Sequence, residues 1–397
     1  MQYENITTDR QLQDYCREIA GSESIALDTE FVSEHTYRPV LCLVQVAAGG
    51  KMAVIDTLAV EDVTPFWETL VTGDHETIVH AGRIEMEFCL QAVGQQPQRV
   101  FDVQIAAGLA GMEYPAAYGT LVSRLLGGAS TNRETRTDWR RRPLSKRQIQ
   151  YALEDVDYLG PLRSKLHASL QKQDRLEWFD EEIETWQAEI QRSFSHERWR
   201  RVSGNSNLNA RTLAIVRELW RWREAEAQRR DTPVRRVLRD DLIIELARRG
   251  TADVKRIGAV RGLDRGDLRR RLDDIAACIQ QGLDLSDEEC PKTTPSQRKP
   301  KLSVLGQFLF AALSSICRRA QLAPNLVGSP TDVRDWIICR GGSQPSRQNP
   351  PKLARGWRAQ FVGRLFDDLL DGKTAVRIDD PASECPLVFE ADDDPAE

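Results

Sequence analysis

The feature that most constrains this chain is a change of hydrophobic period a little over a third of the way along it. Up to about residue 144, short β-rich apolar runs alternate with stretches of helical spacing; from Ser145 onward the apolar residues recur every three or four positions. "SIALDTEF", "LCLVQVA" (41–47), "KMAVIDT" (51–57) and "ETIVHA" (76–81) read as strands, and "AGG" between the second and third is a turn signal. "VEDVTPFWETLV" and "RIEMEFCLQAV" read as helices between the later strands, while "RVFDVQIAAGLAG" opens as a strand and turns helical. Three hairpin-connected strands followed by βα units predict an α/β unit over 1–192, a mixed sheet with helices on both faces.

The rest of the chain is expected to be helical. "NARTLAIVRELWRWREAEAQRR", with Asn before its first turn, opens a compact all-α unit over 200–285. The polar, aperiodic "SDEECPKTTPSQRKP" reads as a linker (286–300), followed by a second all-α unit over 301–380 and an acidic, unstructured tail over 381–397. Within the second α unit, "RDWIICRGGSQPSRQNPPK" reads as a long mobile loop.

Charge is divided as unevenly as secondary structure. Between Arg198 and Arg271 stand 21 Lys/Arg against 10 Asp/Glu, an excess of 11, so with a net charge of −5 the remainder carries −16. One region is therefore suited to polyanions, and another concentrates acids for a different purpose. No apolar stretch approaches the roughly 18 residues of a membrane-spanning helix, and the start lacks the pattern of a secretory signal. The eight cysteines form no C-x-x-C pair, which speaks against a zinc site or disulfide scaffold. A cytoplasmic protein without membrane contact is expected.

Three stretches could carry chemistry. In "SIALDTEF", Asp28 and Glu30 are two apart on a strand and point to the same face. Two carboxylates buried together repel, and a divalent cation removes that penalty; oxygen-only ligands suit Mg²⁺ or Mn²⁺. A solvent-facing strand end accounts for the same tripeptide. In "HAGRIEMEF" a strand ends, Gly82 allows a tight turn, and Glu85 enters the first turn of the next helix, where it either faces the same cavity or simply favours the helix N-terminus. In "YALEDVDYL", Tyr151 and Asp155 are four apart and share a helix face.

The order of these three, together with "DTEFVSEHTYRPVLCLVQVA", "FDVQIAAGLAG" and "DWRRRPLSKRQIQYALEDVDYL", resembles the ribonuclease D family within the tyrosine branch of the DEDD 3′→5′ exonucleases. The basic helical unit resembles the HRDC domain of that family and of RecQ helicases, and "LARGWRAQFVGRLFDDLLDGK" is similar to the family's C-terminal helical domain. The resemblance implies a ribonuclease H-like exonuclease domain followed by HRDC and HRDC-like domains. It implies that Asp28, Glu30, Glu85 and Asp155 ligate two divalent ions, Mg²⁺ or Mn²⁺, and that Tyr151 orients the attacking water. Hydrolysis of the last phosphodiester would release 5′-mononucleotides from RNA, tRNA precursors above all, by a monomeric enzyme. Glu85 departs from the family's aspartate, which puts metal preference and full activity in question. The alternatives are a binding protein with a weakened nuclease site and a DNA 3′→5′ exonuclease.

Phe31, beside the acids, could stack on a terminal base or belong to the core. Arg140, Arg141 and Arg142 lie in the basic stretch before the tyrosine helix and are expected to touch substrate. Trp220 and Trp222 read as helix-packing residues rather than stacking platforms.

Overall fold

The computed structural model describes residues 2–128, 137–195, 197–263, 266–292, 304–340 and 350–391. Six strands form one mixed sheet: β1 (Glu4–Ile6), β2 (Ser24–Val32), β3 (Val40–Ala48), β4 (Lys51–Ile55), β5 (Glu76–Val79) and β6 (Val100–Asp102), in the order β1-β4-β3-β2-β5-β6. β2–β3 and β3–β4 pair antiparallel, while β1–β4, β2–β5 and β5–β6 pair parallel. The three hairpin strands expected from the sequence thus lie next to one another at the centre, and the βα units extend the sheet beyond β2.

The helices follow from local signals. Thr8 accepts a hydrogen bond from the Gln11 backbone and starts α1 (Asp9–Ile19). α2 (Thr64–Thr72) carries Pro65 in its first turn, and α3 (Arg83–Val93) ends at Gly94 with φ of 73°. Asp102 caps α4 (Val103–Leu109), and a short α5 (Tyr118–Leu121) continues into a π turn. Ser145 and Gln148 form a reciprocal capping box at the start of α6 (Lys146–Asp157). α7 (Leu159–Lys172) and α8 (Leu176–Ser195) complete the unit. Along β3, Val44 and Val46 join the large core, whereas Leu43, on the other face, and Cys42, where the alternation is interrupted, pack with Trp139, Ala152 and Leu153 beneath α6. This second, smaller core seats the tyrosine helix across the sheet.

The basic segment folds as α9 (Ala210–Arg229), α10 (Val234–Val237), α11 (Asp240–Arg249), α12 (Val254–Gly258), α13 (Gly266–Arg269) and α14 (Leu272–Asp284), around an apolar core of its own. Asn209 caps α9 as its position in the sequence predicts. The C-terminal helices behave differently. α15 (Val304–Arg319), α16 (Pro324–Val327) and α17 (Pro330–Arg340) share one continuous core with the sheet unit, as does the helical stretch running from α18 (Gly356–Arg358) through a π turn to α19 (Arg364–Leu370). Trp178 of α8 stacks on Trp357 at 5.0 Å, and Arg358 meets Glu182 of α8 at 2.5 Å. Arg175 donates to the carbonyls of Leu109, Ala320 and Gln321.

Two expectations are corrected here. Arg334–Arg340, read as loop, lies in α17, where Val333 and Trp336 turn inward; of the rest of that stretch, 341–349 lies outside the described residues. The region from 381 is not wholly a tail, because β7 (Thr374–Ile378) and β8 (Leu387–Ala391) pair in an antiparallel hairpin. Residues 392–397 of the expected tail, and 293–300 of the expected linker, lie outside the described residues.

Candidate active site

β2 ends in a local irregularity: Glu30 pairs with Leu43 but Phe31 with Leu41, so Cys42 is an extra residue on β3. A bulge of this kind twists a strand end and re-aims its side chains. Here it lies beside Asp28 and Glu30. α6, packed across the same strands, brings Asp155 over them, and oxygens of Asp28, Glu30 and Asp155 lie within 4.8 Å of one another. Two elements more than a hundred residues apart therefore place three carboxylates in one half-buried pocket.

Burial and mutual repulsion dominate the electrostatics of that pocket. Burial, then Asp155 and Glu85, push Glu30 up to about 8. Burial also raises Asp155 to about 6 and lifts Asp28 well above the ordinary carboxylate range, with Glu85, Asp155 and Glu30 adding repulsion at Asp28. Among the described residues, carboxylates and burial dominate at all three, and no cationic side chain offsets them. A hard divalent cation fits this donor set: it takes oxygen ligands, and its charge stabilises the ionised carboxylates that burial alone disfavours. Tyr151 shares a hydrogen bond with Asp155, and burial followed by the nearby carboxylates raises its phenol. Its ring lies 6.2 Å from that of Trp139, a contact that fixes it on the flank of α6.

Glu85 stands apart from the trio. It is buried, and its Oε1 accepts a 2.5 Å hydrogen bond from Thr29, whose side chain leaves β2 on the face opposite Asp28 and Glu30. Burial raises Glu85 to about 7, and the Thr29 bond acts against that rise. The longer side chain is thus tied to Thr29 while still acting electrostatically on Asp28 and Glu30.

The turn that launches α3 is held by a residue the sequence reading passed over. Asp102, 1% exposed, accepts from the backbone N–H groups of Ala81, Gly82, Gln104 and Ile105, and so fixes the end of β5 to the start of α4. Positive φ falls on Ala81 (54°) rather than on Gly82. Glycine is required at 82 for another reason, since a Cβ there would meet Val79 Cγ2 at 2.4 Å. An Asp directly before a helical run was a readable capping signal. Tyr118 had none: its hydroxyl donates to the Glu154 carbonyl and accepts from the Tyr158 N–H, which pins the α6–α7 junction. Gln45 is fully buried directly across from Asp28, and its amide has no hydrogen-bond partner among the described residues.

Of the expected substrate contacts, the structure separates the three arginines. Arg142 is corrected to a scaffold cation: it meets both oxygens of Asp56 at 2.5 and 2.6 Å and donates to the carbonyls of Cys42, Trp139 and Arg141. Arg140 is held by Asp138 through two hydrogen bonds. Arg141, with a side chain 86% exposed, makes only a long 4.0 Å ion pair with the same Asp138. Phe31 is half-buried and meets Phe88 of α3 edge-on at 5.8 Å, so one edge is committed to packing.

Residues 3–171 match the 3′-5′ exonuclease family and residues 212–279 the HRDC domain family. The Ribonuclease D of Granulibacter bethesdensis is 34% identical over 382 residues, covering 94% of each chain. That of Nitrobacter hamburgensis is 31% identical over 377 residues, covering 94% of this chain and 97% of its own length. Among solved structures, Escherichia coli RNase D, an exoribonuclease involved in structured RNA processing, superposes with a TM-score of 0.81 at 27% identity over 94% of this chain and 99% of its own. With the mixed sheet, the separate helical unit and the acid pocket in place, this chain belongs to the ribonuclease D family.

Proposed function

We propose that the chain is a divalent-cation-dependent 3′→5′ exoribonuclease that releases 5′-mononucleotides from structured RNA, the 3′ ends of tRNA precursors above all, in the cytoplasm. The observation that carries this reading is the convergence of Asp28, Glu30 and Asp155 within 4.8 Å of one another in one pocket. When bound, a pair of Mg²⁺ or Mn²⁺ ions supplies hydroxide near neutral pH and neutralises charge on the scissile phosphate. Asp28, Glu30 and Asp155 hold the cations, and Glu85 contributes from behind Thr29, through its charge or after a change of rotamer.

The protein's own groups do the positioning. Tyr151, braced by Trp139 and hydrogen-bonded to Asp155, directs its phenol at the attacking water; because its proton is held tightly, it acts as a donor and not as a base. Phe31 offers its free face to the terminal base while its edge rests on Phe88. Arg141, exposed and only loosely paired with Asp138 at 4.0 Å, can swing to a phosphate at the entrance, and the arginine excess of the helical unit supplies longer-range capture.

Matched single-stranded RNA and DNA, labelled at the 5′ end and incubated with Mg²⁺ or Mn²⁺, test the proposal. A ladder shortening one nucleotide at a time on RNA, abolished by chelator, is expected. Absence of shortening with either ion would favour a binding protein, and faster shortening of DNA would favour the DNA exonuclease.

A further inference from the structure

The sheet unit and the basic helical unit enclose between them a cavity of ≈ 640 Å³. Its walls are the loop after β2, one side of α3, the end of α8, and the start of the helical unit through α11. Five arginines and three carboxylates line it, but the acids are largely spoken for. Arg223 meets Asp240 at 2.6 Å and Glu224 at 3.6 Å, and Glu87 is paired with Arg83 at 3.2 Å. Arg38, Arg198, Arg201 and Arg235 are all exposed and none makes an ion pair among the described residues, although Arg198 donates its Nε–H to the Ser193 carbonyl at 2.6 Å. The same cavity is lined by the aromatics Phe194, which is 39% exposed, and Trp220, which is half-buried against the helical core as its sequence reading expects but reaches the cavity wall. Guanidinium groups interleaved with aromatic rings suit a strand that offers phosphate and planar base in alternation.

The cavity is built and not incidental. Tyr37 bridges the two units: its backbone N–H donates to Asp231 and its hydroxyl to Glu224, both at 3.1 Å, and its ring packs on the helical core. Tyr37 follows β2 by five residues, and Phe88, on the cavity wall, is the residue on which Phe31 rests. The cavity therefore opens one helical turn along α3 from Glu85.

We propose that this cavity is a subsite for single-stranded RNA that holds the nucleotides upstream of the 3′ end, with Arg38, Arg198, Arg201 and Arg235 on the phosphates and Phe194 and Trp220 against the bases. It rests on the exoribonuclease reading for the direction of the strand. It makes the helical unit a part of the binding track and not a remote anchor, and it requires the enzyme to hold longer single strands more tightly than short ones.

Fluorescence anisotropy on the full chain tests this, with 5′-labelled dinucleotide and hexanucleotide RNA under chelation so that no strand is cut. The wild-type chain should bind the hexanucleotide at least about tenfold more tightly. The double variant Arg201→Glu/Arg235→Glu should lose that advantage, with a slope of log affinity against log salt shallower by about 1.4 for two phosphate contacts. Phe194→Ala should weaken the hexanucleotide several-fold. Arg17→Glu, the same charge change on the distant and exposed part of α1, should keep wild-type binding. Melting curves confirm that each variant is folded. Wild-type hexanucleotide affinity in the folded double variant would overturn the proposal, as would competition by polyglutamate as effective as that by RNA. Length-dependent binding through these residues without release of mononucleotides on adding Mn²⁺ would overturn the nuclease reading and leave the subsite standing.

Discussion

Replacing Asp28 by Asn should stabilise the metal-free protein, although it removes a group at the heart of the proposed site. Two carboxylates 4.8 Å apart repel by about 3 kcal/mol at an effective dielectric of about 20. Asp28 faces Glu30 and Asp155 at or within that distance. The folded protein avoids part of the cost by keeping protons that the unfolded chain has lost: Glu30 titrates at about 8 and Asp155 at about 6, whereas free carboxyls titrate near 4. Between roughly pH 4.5 and 8 the folded state thus binds more protons than the unfolded state. Stability contributed by these groups is complete below the unfolded value and declines as pH rises, by about 1.4 kcal/mol per pH unit for each proton retained. Removing one charge relieves about 2–4 kcal/mol of this at pH 8, and less at pH 5, where the trio is already largely protonated. For a unit of this size the gain corresponds to an increase of about 5–15 °C in melting temperature at pH 8. Melting curves of wild type and Asp28→Asn, recorded in chelator at pH 5 and pH 8, give the difference directly. A variant less stable than wild type at pH 8, or a difference that does not grow with pH, would refute the electrostatic reasoning.

Two further substitutions probe the scaffold. Arg142→Ala should destabilise the fold by about 3 kcal/mol, because it leaves Asp56 without its paired cation; denaturant unfolding measures it, and full stability with weakened RNA binding would return Arg142 to the substrate contacts. Gln45→Leu should stabilise the protein by about 1–2 kcal/mol, since the buried amide has no partner among the described residues to lose. A destabilised variant would reveal a partner that Gln45 does hold.

The parts of this fold governed by short-range rules were readable in advance. The run before Asp28, the hairpin strands, the helical spacing that sets in at Ser145 and the separation of Tyr151 and Asp155 each state their element within a few residues, and the acid pocket follows once those elements are packed. What escaped depends on distant partners. β1 is three residues long and exists as a strand because β4 accepts it, and β7 and β8 are short apolar runs of five residues each, defined as strands by pairing with one another. Arg142 reads as a surface cation until Asp56 and the Cys42 carbonyl close around it. Glu85 could be expected either beside the pocket or at the helix N-terminus, and its bond to Thr29 was hidden because it joins two residues 56 positions apart, one pointing to the opposite face of β2. The continuous core between the sheet unit and the C-terminal helices was equally hidden, since each helix by itself shows only that it has an apolar side.

The central claim is that Asp28, Glu30 and Asp155 together form a cation site. It is tested most directly by calorimetric titration of the metal-free protein with Mn²⁺ at pH 7 in two buffers of different ionisation enthalpy. The account predicts saturable uptake accompanied by net proton release, because Glu30 must give up the proton that burial makes it keep, and loss of that uptake in Asp155→Asn. Binding without proton release, undiminished in Asp155→Asn, would contradict it.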